Sequence, residues 1–246
     1  ILGNVLVTSV VWSLLKQDAK ALKTLVGEQF AKKKDLLELN YLCIEKGFQF
    51  KEKSIPGFAV ALPPENAVWK DCLLLTGSQA MGLGVVHAGV RFYAGYPMTP
   101  SSPLLSYIAD IQNETGMAIK QAEDEITAVQ MASGAMHMGT RALTGTSGGG
   151  FDLMTETLSL NAMIENPSVI VLAQRPGPAT GLPTWTGQGD LNLAVFSGHG
   201  EFTRCVVSTS DAEDSFHLVN DAFNLAEEYQ IPVILMTDKQ LAEAIC

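Results

Sequence analysis

The chain has 246 residues, enough for one large α/β domain, or for a domain of about 180 residues with a smaller appendage. It is 47% hydrophobic and 17% charged with 22 glycines, a composition that supports a buried core and excludes disorder and collagen-like repetition. No apolar run approaches the ~18–20 residues a bilayer needs, and 16 basic against 26 acidic residues leave a formal charge of −10, which argues against nucleic acid as the main partner.

The chain opens at Ile1 without a methionine. The stretch Val5 to Trp12 is apolar enough for a signal core but has neither a basic leader nor a cleavage site. With the abrupt end after the strand-like run Ile231 to Thr237, this reads as a piece of a longer protein. Residues 1–50 carry helical patterning: Ala21, Leu22, Leu25, Val26 and Phe30 recur at helical spacing, and Leu36, Leu37, Tyr41 and Ile44 continue it. The lysine run Lys32-Lys33-Lys34 between them reads as a solvated helix start or turn. Residues 51–70, with Pro56, Pro63 and Pro64, read as a linker, because proline removes backbone donors and extends its neighbour.

From residue 71 to 246 the pattern changes. Short apolar runs (72–76, 92–95, 117–121, 142–146, 168–173, 203–207, 232–237) alternate with helix-length segments. Runs of that length flanked by glycine are strands buried on both faces, as in parallel sheets. Helix entries are marked as well, for example Ser210-x-x-Glu213 as a capping box. The expected fold is therefore α/β, a doubly wound parallel sheet preceded by a short helical segment, with ligands at the carboxyl ends of the strands. The cysteines Cys43, Cys72, Cys205 and Cys246 are scattered, with no C-x-x-C pair. They read as buried thiols of a reducing cytoplasm rather than as a zinc site or a complete cluster site.

Three segments invite a chemical reading. Gly77-Ser-Gln-Ala-Met-Gly82-Leu-Gly84 looks like a dinucleotide loop, but the glycine register is wrong and no acid ends the strand near residue 95, so a tight turn into a helix is the better reading. Tyr96-Pro97-Met98-Thr99-Pro100-Ser101-Ser102 follows a strand directly; its prolines stiffen it, Ser101 or Ser102 is suited to cap the next helix, and the Thr99 hydroxyl would stand at the ligand edge. In Gln121-Ala-Glu123-Asp124-Glu125, three acids suit the positive end of a helix. Glu125, Ala128 and Ala132 then share one face, a small-residue stripe that would bring another surface close and desolvate the carboxylate.

Glutamate followed by alanine at plus three and plus seven and by glycine at plus nine (Glu125, Ala128, Ala132, Gly134) resembles the pyrimidine-binding domain of thiamine diphosphate enzymes. Tyr96-Pro-Met-Thr-Pro resembles the Tyr-Pro-Ile-Thr-Pro motif of 2-oxoacid:ferredoxin oxidoreductase α subunits, with Met98 for isoleucine. Thr146-Ser-Gly-Gly-Gly150 is similar to that family's Thr-Ser-Gly-Pro-Gly, with Gly149 for proline. Gln174-Arg175 to Thr184, Gly187 to Asp190 and His199-Gly-Glu201 also resemble its loops. The resemblance covers roughly residues 70–242, and residues 1–50 resemble the end of the γ domain fused ahead of α in some members.

The resemblance implies an α-type subunit whose enzyme converts a 2-oxoacid and coenzyme A to acyl-coenzyme A and carbon dioxide, passing electrons to ferredoxin. A 2-oxoglutarate-type enzyme is favoured by the fused layout and the Ala122-Glu-Asp-Glu125 spelling. Glu125 would be the catalytic acid at the thiamine ring nitrogen, a role that needs a neutral carboxyl of the kind burial favours. Tyr96 and Pro97 would join Glu125 in binding the cofactor, and Thr99 and Arg175 would bind the substrate carboxylate. No Gly-Asp-Gly loop is present, only Gly189-Asp190-Leu191, so magnesium and the iron–sulfur cluster would reside on a β subunit, and this chain alone would be inactive. The implied assembly is a cytoplasmic homo-oligomer of heterodimers. Two alternatives are another thiamine enzyme, of acetolactate synthase or transketolase type, and a non-catalytic assembly subunit.

Overall fold

The computed structural model describes residues 2–64 and 66–245; Cys246 lies outside them. The chain divides into two compact units at Cys72/Leu73.

The first unit contains helices α1 (Leu2–Leu14), α2 (Ala19–Gln29) and α3 (Lys34–Ser54). The Asp18 carboxylate caps α2 by accepting from the Lys20 N–H at 2.9 Å, satisfying a donor the helix cannot. Leu22, Val26 and Ile44 are buried, with Val5, Trp12, Phe30, Tyr41 and Phe48 packed around them. At the α1–α3 crossing, a Cβ on Gly47 would lie 1.8 Å from Ser9 Oγ, so only glycine permits the approach. Lys32, Lys33 and Lys34 are all exposed. Helix α3 runs through Lys51–Ser54, beyond the expected linker start at residue 51; Lys51 and Lys53 suit the negative end of its dipole. It stops ahead of Pro56, which disfavours helical geometry in the residue before it.

The second unit is an α/β domain. After α4 (Gly77–His87) come β1 (Phe92–Gly95), α5 (Ser102–Asp110), α6 (Gln112–Thr115), β2 (Ala118–Gln121), α7 (Glu125–His137), β3 (Ala142–Thr146) and α8 (Gly148–Met163). The chain continues with β4 (Ser168–Gln174), α9 (Leu191–Phe196), β5 (Cys205–Ser208), α10 (Ala212–Tyr229), β6 (Pro232–Asp238) and α11 (Lys239–Glu243). The six strands form one sheet in the order β2-β1-β3-β4-β6-β5, with every pairing parallel. The doubly wound parallel sheet expected from the alternating pattern is thus present. Alternate residues serve opposite faces. Val169, Val171, Val233 and Leu235 pack with Met81, Val85, Leu104 and Phe223, whereas Ile170, Leu172, Ile234 and Met236 pack with Val129, Phe151, Met154 and Leu158. Burying each such large apolar side chain stabilises the fold by roughly 1.5–3 kcal/mol.

Four local expectations are corrected. Residues 72–76 form no strand: Leu73 and Leu74 are 75% and 77% exposed. An apolar run becomes a strand only where a neighbour offers its edge, and here Thr76 instead enters a reciprocal capping box with Gln79 and meets Ile245 in an isolated bridge. The Gly77–Gly84 segment is not a turn into a helix but the helix α4 itself. Its glycines are contact points: a Cβ would fall 2.4 Å from Leu241 O at Gly77, 2.4 Å from the Tyr107 ring at Gly82, and 2.3 Å from Phe216 O at Gly84. Helix α10 is capped by Asp211, which accepts from the Asp214 N–H at 2.8 Å, one residue beyond the Ser210 expected. Lastly, Cys72 is exposed and Cys43 and Cys205 are half-buried; Cys205, on the edge strand β5, packs one side against the core and leaves the other uncovered.

Helices α7 and α8 are joined by a buried polar node. The Ser133 hydroxyl donates to Asn161 Oδ1 at 2.5 Å, and Asn166 Nδ2 donates to Asn161 Oδ1 at 3.1 Å and to the Ser133 carbonyl at 3.0 Å. Without the Ser133 hydroxyl, Asn161 Oδ1 still accepts from Asn166 Nδ2, which also keeps the backbone carbonyl of residue 133, so the loss is that of one hydrogen bond. Ser133→Ala is expected to lower unfolding free energy by about 0.5–1.5 kcal/mol, read as a reduced urea midpoint at unchanged m-value.

Candidate functional site

In an open parallel sheet, ligands bind at the carboxyl ends of the strands where the strand order reverses. Here the chain passes from β1 outward to β2, then back across to β3, so the crevice opens between the ends of β1 and β3. Four loops converge on that edge.

The loop after β1 is Tyr96 to Ser101. Tyr96 is 37% exposed and Pro97 is exposed, so both stand at the rim, while Thr99 is half-buried. The Ser101 N–H donates to the Met98 carbonyl at 2.8 Å and closes the turn. Ser101 precedes α5 but makes no side-chain cap; its hydroxyl is buried against the sheet, so the capping role expected for it is not realised there.

The loop after β2 delivers Glu125. Asp124 is the cap of α7, accepting from the Thr127 N–H at 2.7 Å, and that hydrogen bonding holds its carboxyl below the usual range. Glu123 is exposed. Glu125, by contrast, is only 3% exposed, and its Oε1 has no hydrogen-bond partner. Ala128 and Ala132 continue its face and are buried, but Gly134 is exposed with open space beside it. At about 100° per residue, a position nine further on faces the opposite side.

The loop after β3 leads into the glycine-rich first turn of α8. A Cβ on Gly150 would lie 2.0 Å from Thr146 Oγ1 and 2.7 Å from Glu125 Oε1. The missing side chain is therefore what lets this turn sit on the glutamate. The Thr146 hydroxyl also donates to Met98 Sδ at 3.9 Å, joining this loop to the one after β1.

The loop after β4 begins with Arg175, 7% exposed, whose Nη1 donates to the Thr99 carbonyl at 2.5 Å. Thr99 and Arg175 are thus in direct contact. The stretch from Arg175 to Asp190 is pinned at its far end: the Asp190 N–H donates to Gln174 Oε1 at 3.1 Å, and Gln188 Nε2 donates to Asp238 Oδ2 at 2.5 Å. The Asp190 carboxyl lies against Gly148, where either oxygen would be 2.8 Å from an added Cβ. Burial pushes its pKa up, Asp152 adds to the rise, and Arg175 opposes it. The His199-Gly-Glu201 segment lies elsewhere, on the approach to the start of β5, where the His199 N–H donates to Ser159 Oγ at 2.7 Å.

The geometry adds residues to which sequence reasoning gave no role. Thr146 and Gly150 lay within a quoted motif, but their contact with Glu125 is non-local and leaves no local signal. Tyr93, wholly buried under the loop after β1, reads in sequence only as a strand residue. Among the described residues, no three His, Cys, Asp or Glu side chains gather in a metal-holding group.

Residues 83–245 match the family described as pyruvate flavodoxin/ferredoxin oxidoreductase, thiamine diphosphate-binding. The chain belongs to this family. It is 37% identical over 254 aligned positions to the 2-oxoacid:ferredoxin oxidoreductase 1 α subunit of Sulfurisphaera tokodaii, covering 98% of this chain and 39% of that one. It is 42% identical over 165 positions to the 2-oxoglutarate synthase subunit KorA of Methanothermobacter thermautotrophicus, covering 67% of this chain and 44% of the relative. A solved 2-oxoglutarate:ferredoxin oxidoreductase from Magnetococcus marinus, with 2-oxoglutarate, coenzyme A and succinyl-CoA bound, superposes with a TM-score of 0.82 at 36% identity, over 98% of this chain and 42% of that one. The chain therefore spans well under half the length of these relatives. Two carboxyl oxygens at this edge are buried without an internal partner, Asp190 Oδ2 against Gly148 and Glu125 Oε1 beneath Gly150; Asp190 is only half-buried as a residue, whereas Glu125 is 3% exposed, and its cradle is the one suited to a ring of the thiamine diphosphate that this family's domain binds.

That cradle is directly testable. Gly150→Ala is expected to cost about 1–3 kcal/mol, as overpacking does, because the new methyl must displace Thr146 or Glu125. Gly134→Ala in the same domain should be neutral or stabilising by up to ~1 kcal/mol. Thermal melts of the two variants read the difference.

Proposed function

We propose that this chain supplies the aminopyrimidine side and the substrate-carboxylate side of the active site of a 2-oxoacid:ferredoxin oxidoreductase. The enzyme converts a 2-oxoacid and coenzyme A to acyl-coenzyme A and carbon dioxide, with the electrons passing to ferredoxin. The observation that carries this reading is Glu125, a buried carboxyl oxygen left without a partner at the edge where Thr99 and Arg175 meet. Bound thiamine diphosphate supplies the electron sink for decarboxylation. Glu125 holds a proton at the ring nitrogen, Tyr96 and Pro97 line the rim beside it, and the walls of α7 and α8 keep water from the carboxyl. The Thr99 hydroxyl and the Arg175 guanidinium take the substrate carboxylate. One Arg175 nitrogen is used by the Thr99 carbonyl, which fixes the plane of the guanidinium and aims its other donors.

A 2-oxoglutarate-type substrate is favoured, since relatives named for that substrate occur among the matches. The cofactor diphosphate, its magnesium and the iron–sulfur cluster belong to a β subunit, and the whole assembles as a homo-oligomer of heterodimers. The three-helix unit is the end of a γ-type domain. A cytoplasmic location fits the free thiols Cys43, Cys72 and Cys205, and no helix among the described residues is long and apolar enough to cross a membrane.

Two experiments test this reading. In the assembled enzyme, Glu125→Gln should fold normally but lower kcat by about a hundredfold to ten-thousandfold. Thr99→Ala and Arg175→Ala should instead raise KM for the oxoacid by roughly ten- to a hundredfold, the loss of a hydrogen bond to a charged group, and leave KM for coenzyme A in place. Wild-type oxoacid kinetics in both would make Thr99 and Arg175 structural residues.

Binding by this chain alone is the second test. With only the aminopyrimidine held, and on a chain whose formal net charge is −10, thiamine diphosphate is expected to bind in the micromolar to millimolar range. Addition of the β subunit should tighten it by several orders of magnitude. Calorimetry showing nanomolar, magnesium-dependent binding by this chain alone would overturn the divided site.

A further inference from the structure

Gln174 closes β4, a strand that is apolar after Ser168. A glutamine only 5% exposed at such a place needs a partner for its amide. Its Oε1 accepts the Asp190 N–H at 3.1 Å, which brings the far end of the loop after β4 back to the strand end that the loop left. Asp238, the residue opposite Gln174 in the β4–β6 register, makes a second tie. Its Oδ2 accepts from Gln188 Nε2 at 2.5 Å, while its Oδ1 caps α11 through the Leu241 N–H at 3.0 Å. Thr186 adds a third, its hydroxyl accepting from the Gln240 N–H at 3.3 Å. Inside the loop, the Leu182 N–H donates to the Pro176 carbonyl and the Trp185 N–H to the Leu182 carbonyl, each at 3.0 Å. Drawn in this way, the loop rests on the first turn of α8. A Cβ on Gly148 would lie 2.8 Å from either Asp190 carboxyl oxygen, and one on Gly149 would lie 3.2 Å from the Ala179 carbonyl oxygen. At the base of the loop stands Arg175, buried and held by the Thr99 carbonyl.

We propose that Gln174 and Asp238 are positioning residues that clasp the 176–190 loop, and that the clasp sets Arg175 for the oxoacid carboxylate. Tying residues 188 and 190 to neighbouring strand ends makes the segment a compact loop with its ends together. The backbone that leaves Arg175 is then fixed on both sides, and the guanidinium meets the Thr99 carbonyl in one orientation. A small misplacement of such a group weakens its hold on a ligand. This rests on the reading of Arg175 as a substrate ligand, and the test keeps the two apart.

Gln174→Met keeps the length of the side chain and removes the acceptor. Gln188→Glu sets a second carboxylate against that of Asp238. Gln188→Glu combined with Asp238→Asn rebuilds the tie with donor and acceptor exchanged, because asparagine keeps an oxygen for the α11 cap. In the full-length enzyme, Gln174→Met and Gln188→Glu should each speed amide hydrogen exchange at Leu182 and Trp185 several-fold, with exchange in β6 unchanged. Each should raise KM for the oxoacid several-fold while kcat and KM for coenzyme A hold. The exchanged pair should return both readouts to wild-type values, a coupling that two independent sites would not show. Unchanged exchange at the two loop amides in both Gln174→Met and Gln188→Glu overturns the clasp, as does an exchanged pair no better than Gln188→Glu alone. An unchanged oxoacid KM in both variants, where Arg175→Ala raises it, overturns the positioning role. An unchanged oxoacid KM in Arg175→Ala overturns the substrate role of Arg175 instead, and the exchange rates then decide the clasp.

Discussion

Two parallel strands cannot be joined by a tight turn. The chain must leave the far end of one strand and travel back along a face of the sheet before it begins the next. In the α/β unit this constraint is met by helices on both faces, and it fixes where chemistry is possible. The strands that lead directly into helices hand the chain over at their carboxyl ends, and those helices begin there. Because β1 lies between β2 and β3, the loops leaving β1 and β3 lead to opposite sides and a crevice opens between them. Thr99, Glu125, Thr146 and Arg175 stand at or just beyond the carboxyl ends of four separate strands, and this topology alone brings them to one edge.

Close approach is the second theme, and glycine is its means. In α4, Gly77, Gly82 and Gly84 let other elements contact the helix backbone at distances no side chain would tolerate. At Gly150 the same device acts on a polar group: the first turn of α8 settles on Glu125 and Thr146, and the carboxyl is sealed from water with one oxygen unpartnered. A buried polar group without a partner is costly to the isolated chain. A ligand ring that supplies the missing partner recovers that cost, which ties the stability of this corner to its proposed use. Arg175 shows the converse arrangement. Its guanidinium is buried but held by the Thr99 carbonyl, with Asp190 nearby in a desolvated position of its own.

The sequence by itself determined the elements whose patterns are local. Apolar runs at 142–146, 168–173 and 232–237 marked buried strands because a strand covered on both faces must be apolar throughout. Helical periodicity marked α2 and α3 because one stripe of each must be buried, and the acid-then-small-residue pattern singled out Glu125 ahead of Glu123 and Asp124. Only the tertiary structure decided the rest. Residues 72–76 have the composition of a strand but no edge to pair with. The glycines of α4 look like a loop until the helices they touch are in place. Gly134, nine positions from Glu125, turns out to face away from it. The contacts among Glu125, Thr146 and Gly150, and those of Gly145 with Tyr93 and Ser101, join residues whose neighbours in sequence carry no sign of them. Local periodicity records how much of a segment is buried, whereas which atoms meet is settled by strand order and helix approach, which exist only once the whole sheet has formed.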